Sequence, residues 1–110
     1  MIGGYAFLDK EHLSEMTGIS GVVLLQIEEL AVRYEIQKII LFGSRARGDY
    51  KRTSDIDLAV LSGNVTEFTL AVDEGTDTLL MYDVVNLGGT VQAELLESIK
   101  KEGIVLYEKV

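Results

Sequence analysis

Two carboxylates, Asp55 and Asp57, stand one residue apart at the start of an apolar run, ten residues after a Gly43-Ser44 pair that closes another apolar run. Between them lies a basic stretch with Arg45, Arg47, Lys51 and Arg52, four of the chain's ten basic side chains within eight positions. A Gly-Ser turn with basic neighbours suits a polyphosphate, although a solvated basic loop has the same composition. Two carboxylates so close repel each other unless a proton or a cation lies between them. Magnesium answers that repulsion with one or two protein carboxylates and completes its shell with substrate phosphate oxygens. An isolated Asp-x-Asp is also compatible with an exposed acidic strand start. A third acid, Asp83, interrupts the otherwise nearly apolar stretch Leu79–Leu87. A carboxylate buried there without a partner would cost several kcal/mol, on the order of the penalty for any unpaired buried charge. Asp83 therefore either joins Asp55 and Asp57 in a three-carboxylate metal site or faces solvent at a sheet edge.

Other chemistries fit less well. Ser44 has no Ser-His-acid arrangement to activate it, and His12, the only histidine, reads as an ordinary surface residue. The turn lacks the Gly-x-x-x-x-Gly-Lys-Ser/Thr pattern of a P-loop. An aspartyl nucleophile belongs at the C-terminal end of a strand, whereas Asp55 and Asp57 begin theirs. Glycosyltransferases also use Asp-x-Asp with metal, but 110 residues leave little room for their two-part architecture. Cysteine is absent, which removes disulfides, thiolate nucleophiles and Cys-based zinc sites.

The elements that must position these residues follow from periodicity and capping. Lys38–Phe42 reads as a short buried strand ending at Gly43, with a short helix over 44–50 behind the turn. Ile56–Leu61 is a second strand. On it Asp55 and Asp57 project to one face, while Ile56, Leu58 and Val60 project to the core. Leu79–Leu87 is a third strand, and Ile104–Tyr107 a fourth. Ser20 caps a helix whose inward positions are Val23, Ile27, Leu30, Ala31 and Tyr34. Residues 65–75 form a second helix. Thr90 caps a third that runs to about Glu102, with Lys100 and Lys101 at its negative end and Gly103 stopping it. Residues 1–18 have weak periodicity and read as a loosely ordered lead-in. The expected fold is α/β, in the sense of a small mixed sheet with helices packed mainly on one face, in one domain over 1–110.

Composition sets further bounds. The chain is 47% apolar and 25% charged, ordinary for a globular domain of one core. Its net charge of −8 argues against general nucleic-acid binding, which needs a basic footprint. No run approaches the roughly 18 apolar residues of a membrane helix. The N-terminus has neither basic leader nor apolar core, so a cytoplasmic location is expected.

Gly43-Ser44, ten intervening residues and then Asp55-Ile56-Asp57 resemble the signature of the polymerase-beta-type nucleotidyltransferases. The fuller strings Leu41-Phe-Gly-Ser-Arg-Ala-Arg-Gly48 and Ser54-Asp-Ile-Asp-Leu58 are similar to the minimal nucleotidyltransferases of prokaryotes, and Asp83 matches that family's third carboxylate. The resemblance covers about residues 20–107. It implies a polymerase-beta-like core and magnesium-dependent transfer of AMP from ATP, with two Mg2+ ions. Gly43 and Ser44 would hold the terminal phosphates, with Arg45 and Arg47 as weaker phosphate contacts. Asp55 and Asp57 would bind both metals. Asp83 would bind the catalytic one and help deprotonate the acceptor hydroxyl. Minimal members lack an acceptor-binding domain and pair with a helical HEPN toxin, so the resemblance implies an antitoxin that adenylylates a toxin hydroxyl. Homo- or hetero-oligomers are compatible with this. A non-catalytic binding antitoxin, or an enzyme acting on a small aminoglycoside-type molecule with a pocket from another chain, are the alternatives. Segments 1–18 and 65–78 are candidate contact surfaces.

Overall fold

A computed structural model describes residues 9–110. Among these residues four strands form one sheet: β1 (Lys38–Phe42), β2 (Ile56–Leu61), β3 (Tyr82–Asn86) and β4 (Ile104–Glu108), in the order β3-β2-β1-β4. β1 runs antiparallel to both β2 and β4, whereas β2 and β3 are parallel and joined by a helical crossover. The sheet is therefore mixed, as expected from the sequence. β1, β2 and the helix over residues 65–75 match their expected limits. β3 is shorter than the apolar run 79–87 suggested, because residues 79–81 leave the ladder apart from one bond, Ile56 N–H to the Met81 carbonyl at 2.9 Å.

Among the described residues five helices accompany the sheet: α1 (Lys10–Thr17), α2 (Gly21–Arg33), α3 (Ser44–Arg47), α4 (Val65–Gly75) and α5 (Ala93–Glu102). Ser20 caps α2 as expected, its Oγ accepting the Val23 N–H at 3.2 Å. α5 begins after Gln92 rather than Thr90, and Gly103 ends it in an extended conformation, where a Cβ would press on the Ile99 carbonyl and Ile40.

The main correction concerns the lead-in. Residues 10–17 form a regular helix, capped by the Asp9 carboxylate accepting the His12 N–H at 2.8 Å and closed by Gly18 in the left-handed region. Its apolar signal is weak because only Leu13 and Thr17 are buried, but the Asp start and Gly stop are ordinary helix punctuation. The rest of the expected lead-in, residues 1–8, lies outside the described residues. His12 is exposed, as expected.

α1, α2 and α4 pack on one face of the sheet. Leu13, Val23, Leu24, Ile27, Ala31, Phe68 and Val72 meet Ile39, Leu41, Ile56, Leu58 and Val60 there, all nearly or fully buried. Each such side chain contributes roughly 1.5–3 kcal/mol of transfer free energy. Among the described residues the opposite face is covered by α5 alone, through Ile99 on Phe42 and Ala59, flanked by Ile40, Val85, Leu87 and Leu95. No described helix is long and apolar enough to cross a membrane.

Candidate active site

Strand alternation decides which face carries the polar residues. Asp57 and Ala59 share a face, and Ala59 belongs to the cluster under α5, so the carboxylates stand on the α5 side of the sheet. Asp57 pairs with Phe42 across the antiparallel ladder and with Asp83 across the parallel one. The middle strand thus brings the Gly43 turn to one side of Asp57 and Asp83 to the other. Asp55 precedes β2 by one residue, on the same face.

Asp57 is half-buried, and burial is the largest influence pushing its carboxyl up to about 6, followed by the negative charges of Asp83 and Asp55. Arg47 and Arg45 oppose that shift less strongly. Asp83 itself is exposed, because β3 is the edge strand of the sheet. Asp83 thus takes the solvent-facing edge position that was the alternative reading, yet it also stands beside Asp57. Its proximity to Asp57 comes from register. Among the described residues no three acidic or histidine side chains already converge on one ion position. The three-carboxylate cage expected from the sequence is thus not closed, although its members are neighbours. The donor set is all carboxylate oxygen and its charges repel. That chemistry fits a hard divalent cation which completes its shell with other oxygens.

Gly43 occupies φ +77, ψ −160, and a Cβ built there would overlap Asp57 Oδ2. Only glycine lets the backbone of the turn pass this close to the carboxylate. Ser44 opens α3, whose first N–H groups have no partner within the helix, as at any helix start. Its hydroxyl has no hydrogen-bond partner among the described residues.

The two arginines separate. Arg45 is only 2% exposed. Its guanidinium donates to the carbonyls of Thr17 (2.9 Å), Ser54 (3.0 Å), Arg52 (3.2 Å) and Lys51 (3.4 Å), and its Cζ sits 4.8 Å from the Tyr50 ring centre. With its donors committed to backbone, Arg45 is a clamp between α1 and the 50–54 loop, which corrects its reading as a phosphate contact. Tyr50 in turn lies against Gly18, where a Cβ would come within 2.5 Å of its ring. Arg47 is exposed and bridges Asp49 (3.2 Å) and Glu102 (2.7 Å), which push its pKa further up, Glu102 most. Arg47 is therefore still available to an anion, at the expense of an exposed ion pair. The Arg45–Thr17 and Arg47–Glu102 contacts span 28 and 55 residues and have no local sequence signal.

A groove of about 650 Å³ lies elsewhere, between α2 and α4, with Leu30, Tyr34, Leu70 and Ala71 among its lining. Asp55, Asp57 and Asp83 do not line it, so the groove is separate from the carboxylate site.

Residues 25–110 match the family model described as "Polymerase beta, Nucleotidyltransferase". The chain is 42% identical over 85 residues to "Putative protein adenylyltransferase MJ0604" of Methanocaldococcus jannaschii, an alignment covering 68% of this chain and 82% of that protein. Among solved structures, a chain of a toxin-antitoxin with AMP-PNP is similar at TM-score 0.58 and 29% identity, over 78% of this chain and 73% of that one. A chain from a mutant of the toxin-antitoxin MntA-HpeT is similar at TM-score 0.60 and 27% identity, over 77% and 72%. The match over most of the chain, on a mixed sheet that sets the Gly-Ser turn beside the Asp-x-Asp, identifies this protein as a nucleotidyltransferase of the polymerase beta family.

Proposed function

We propose that this chain transfers AMP from ATP to a hydroxyl of a partner protein, and that the partner is a HEPN-class toxin which the modification neutralises. The observation that carries the reading is the ladder register that puts Asp57 between the Gly43 turn and Asp83. It is supported by the likeness to a protein named for adenylyltransfer and to toxin-antitoxin structures, one with AMP-PNP. ATP as substrate and a toxin as partner put the reaction in the cytoplasm.

In this reading the backbone N–H groups at the start of α3, with the Ser44 hydroxyl, hold the terminal phosphates. Arg47 supplies positive charge by exchanging its exposed partners for phosphate oxygen. Asp55 and Asp57 hold magnesium, two ions in the fully loaded site, and Asp83 joins them on the acceptor side. When bound, magnesium neutralises phosphate charge and polarises the reacting phosphoryl oxygen. The acceptor oxygen attacks the α-phosphorus and its proton passes to Asp83. The bond from the α-phosphorus to the bridging oxygen breaks, and pyrophosphate leaves.

The experiment is incubation with labelled ATP, magnesium and the product of the neighbouring gene. Label on the toxin with wild type, and none with Asp55→Ala/Asp57→Ala, is expected. Equal silence from both proteins would count against the reaction. Full protection of cells by the double variant would show that binding alone suffices.

A further inference from the structure

The acceptor has to reach Asp83, and the surroundings of Asp83 restrict how. Among the described residues β3 is an edge strand, paired on one side only. The bonds from Ile56 N–H to the Met81 carbonyl and from Leu87 N–H to the Val60 carbonyl fix the phase of the parallel ladder. Met81, Asp83, Val85 and Leu87 therefore turn their backbone groups towards β2. Tyr82 and Val84 turn theirs outward, and neither N–H has a partner among the described residues. An open row of this kind is a template for another strand. A residue of such a strand paired opposite Asp83 would share its face, one strand spacing or about 4.8 Å away. A hydroxyl-bearing side chain at that position lies beside the carboxylate.

Two further features bear on what the strand would be. Leu79 is fully exposed at 103% and Met81 is 66% exposed, immediately before the edge, and Met81 falls on the Asp83 face by alternation. These apolar side chains favour a protein segment over a nucleic acid or a polycationic small molecule. Asp77, just before the edge, and Asp83, on it, are exposed, and no lysine or arginine lies between Thr53 and Ile99 to offset them. The segment that complements this edge is cationic.

We infer that the free edge of β3, with Leu79 and Met81, docks an extended cationic segment of the partner protein and so presents the acceptor hydroxyl to Asp83. This rests on the adenylyl-transfer reading above and adds the place and the chemistry of acceptor recognition.

The test uses the full chain and, as the toxin, the product of the neighbouring gene. Hydrogen exchange resolved by NMR is measured with and without the toxin. The Tyr82 and Val84 amides are expected to slow by at least about tenfold, while Asp83 and Val85, already in the ladder, change little. In the transfer assay, Leu79→Ser/Met81→Ser is expected to raise the KM for the toxin by about tenfold at unchanged ATP affinity, since both side chains are exposed and the fold does not depend on them. Raising salt is expected to raise that KM in the wild type as well. Transfer at wild-type KM by the double variant, with Tyr82 and Val84 amides unaffected by the toxin, would overturn the docking edge and leave the adenylyl-transfer reading standing. Protection of the two amides without any label transfer would support the edge and remove the reaction. Protection confined to the α2–α4 groove would overturn the edge.

Discussion

Gly43→Ala tests the site's geometry most directly, because two separate costs fall on one added methyl group. The backbone lies at φ +77, ψ −160, a region close to glycine-only, which costs a substituted residue about 1–3 kcal/mol. The added Cβ would overlap Asp57 Oδ2 and lie 3.0 Å from its Cγ, so the carboxyl must rotate or the end of β1 must shift. Overpacking of this kind costs about 1–3 kcal/mol, giving a total of about 2–6 kcal/mol. Gly48→Ala is the matched control. It also sits at positive φ, +94, but a Cβ there meets nothing within 4 Å, so only the left-handed backbone cost of about 1–2 kcal/mol applies. Truncating the clashing partner completes a double-mutant cycle. Asp57→Ala in the Gly43→Ala background is expected to recover about 1–2 kcal/mol, because neighbours that collide are coupled. Denaturant unfolding in chelator at constant m-value reads the four proteins of the cycle and the Gly48→Ala control. Equal losses for Gly43→Ala and Gly48→Ala, with no recovery from the Asp57 truncation, would refute the crowding of turn and carboxylate.

The other expectations concern charge, the clamp and the base. Asp57 holds its proton more tightly when folded, at about 6 against 3.8, so its contribution to stability is full below 3.8 and is lost as pH rises through 6. Without metal, Asp57→Asn should therefore gain on wild type between pH 4 and pH 8 by on the order of 1 kcal/mol, discounted for solvent screening. An equal difference at both pH values would contradict this. Arg45→Met leaves four backbone carbonyls without their donor and should destabilise by about 2–4 kcal/mol, with Arg45→Lys recovering less than half, because an ammonium cannot reproduce the planar fork. Full rescue by lysine in a denaturation experiment would refute the clamp. Asp83→Asn should lower AMP transfer by about 10²–10⁴-fold with little change in stability, since its side chain is exposed. Transfer within threefold of wild type would exclude Asp83 from the reaction.

Much of the fold was legible because its signals are local. Lys38–Phe42 and Ile56–Leu61 are short apolar runs bounded by polar breaks, and Ser20 is a side-chain cap with a periodic helix behind it. α1 was the failure of apolar periodicity, since a helix resting on Leu13 and Thr17 shows hardly any stripe. Its punctuation, Asp9 before and Gly18 after, was the better signal.

The sequence by itself determined the family, the Gly43-Ser44 turn and the Asp55–Asp57 pair. Those depend on spacing within a few residues, and period-two alternation puts both carboxylates on one face. Only the tertiary structure decided what each neighbour does. Asp83 reaches Asp57 through parallel register and remains exposed on an edge strand, whereas the sequence offered these two placements as alternatives. Arg45 and Arg47, alike in a basic run, part company because one guanidinium meets four backbone carbonyls and the other meets Asp49 and Glu102. Long side chains settle according to the donors and acceptors that folding brings from distant positions, and a one-dimensional pattern does not carry those distances.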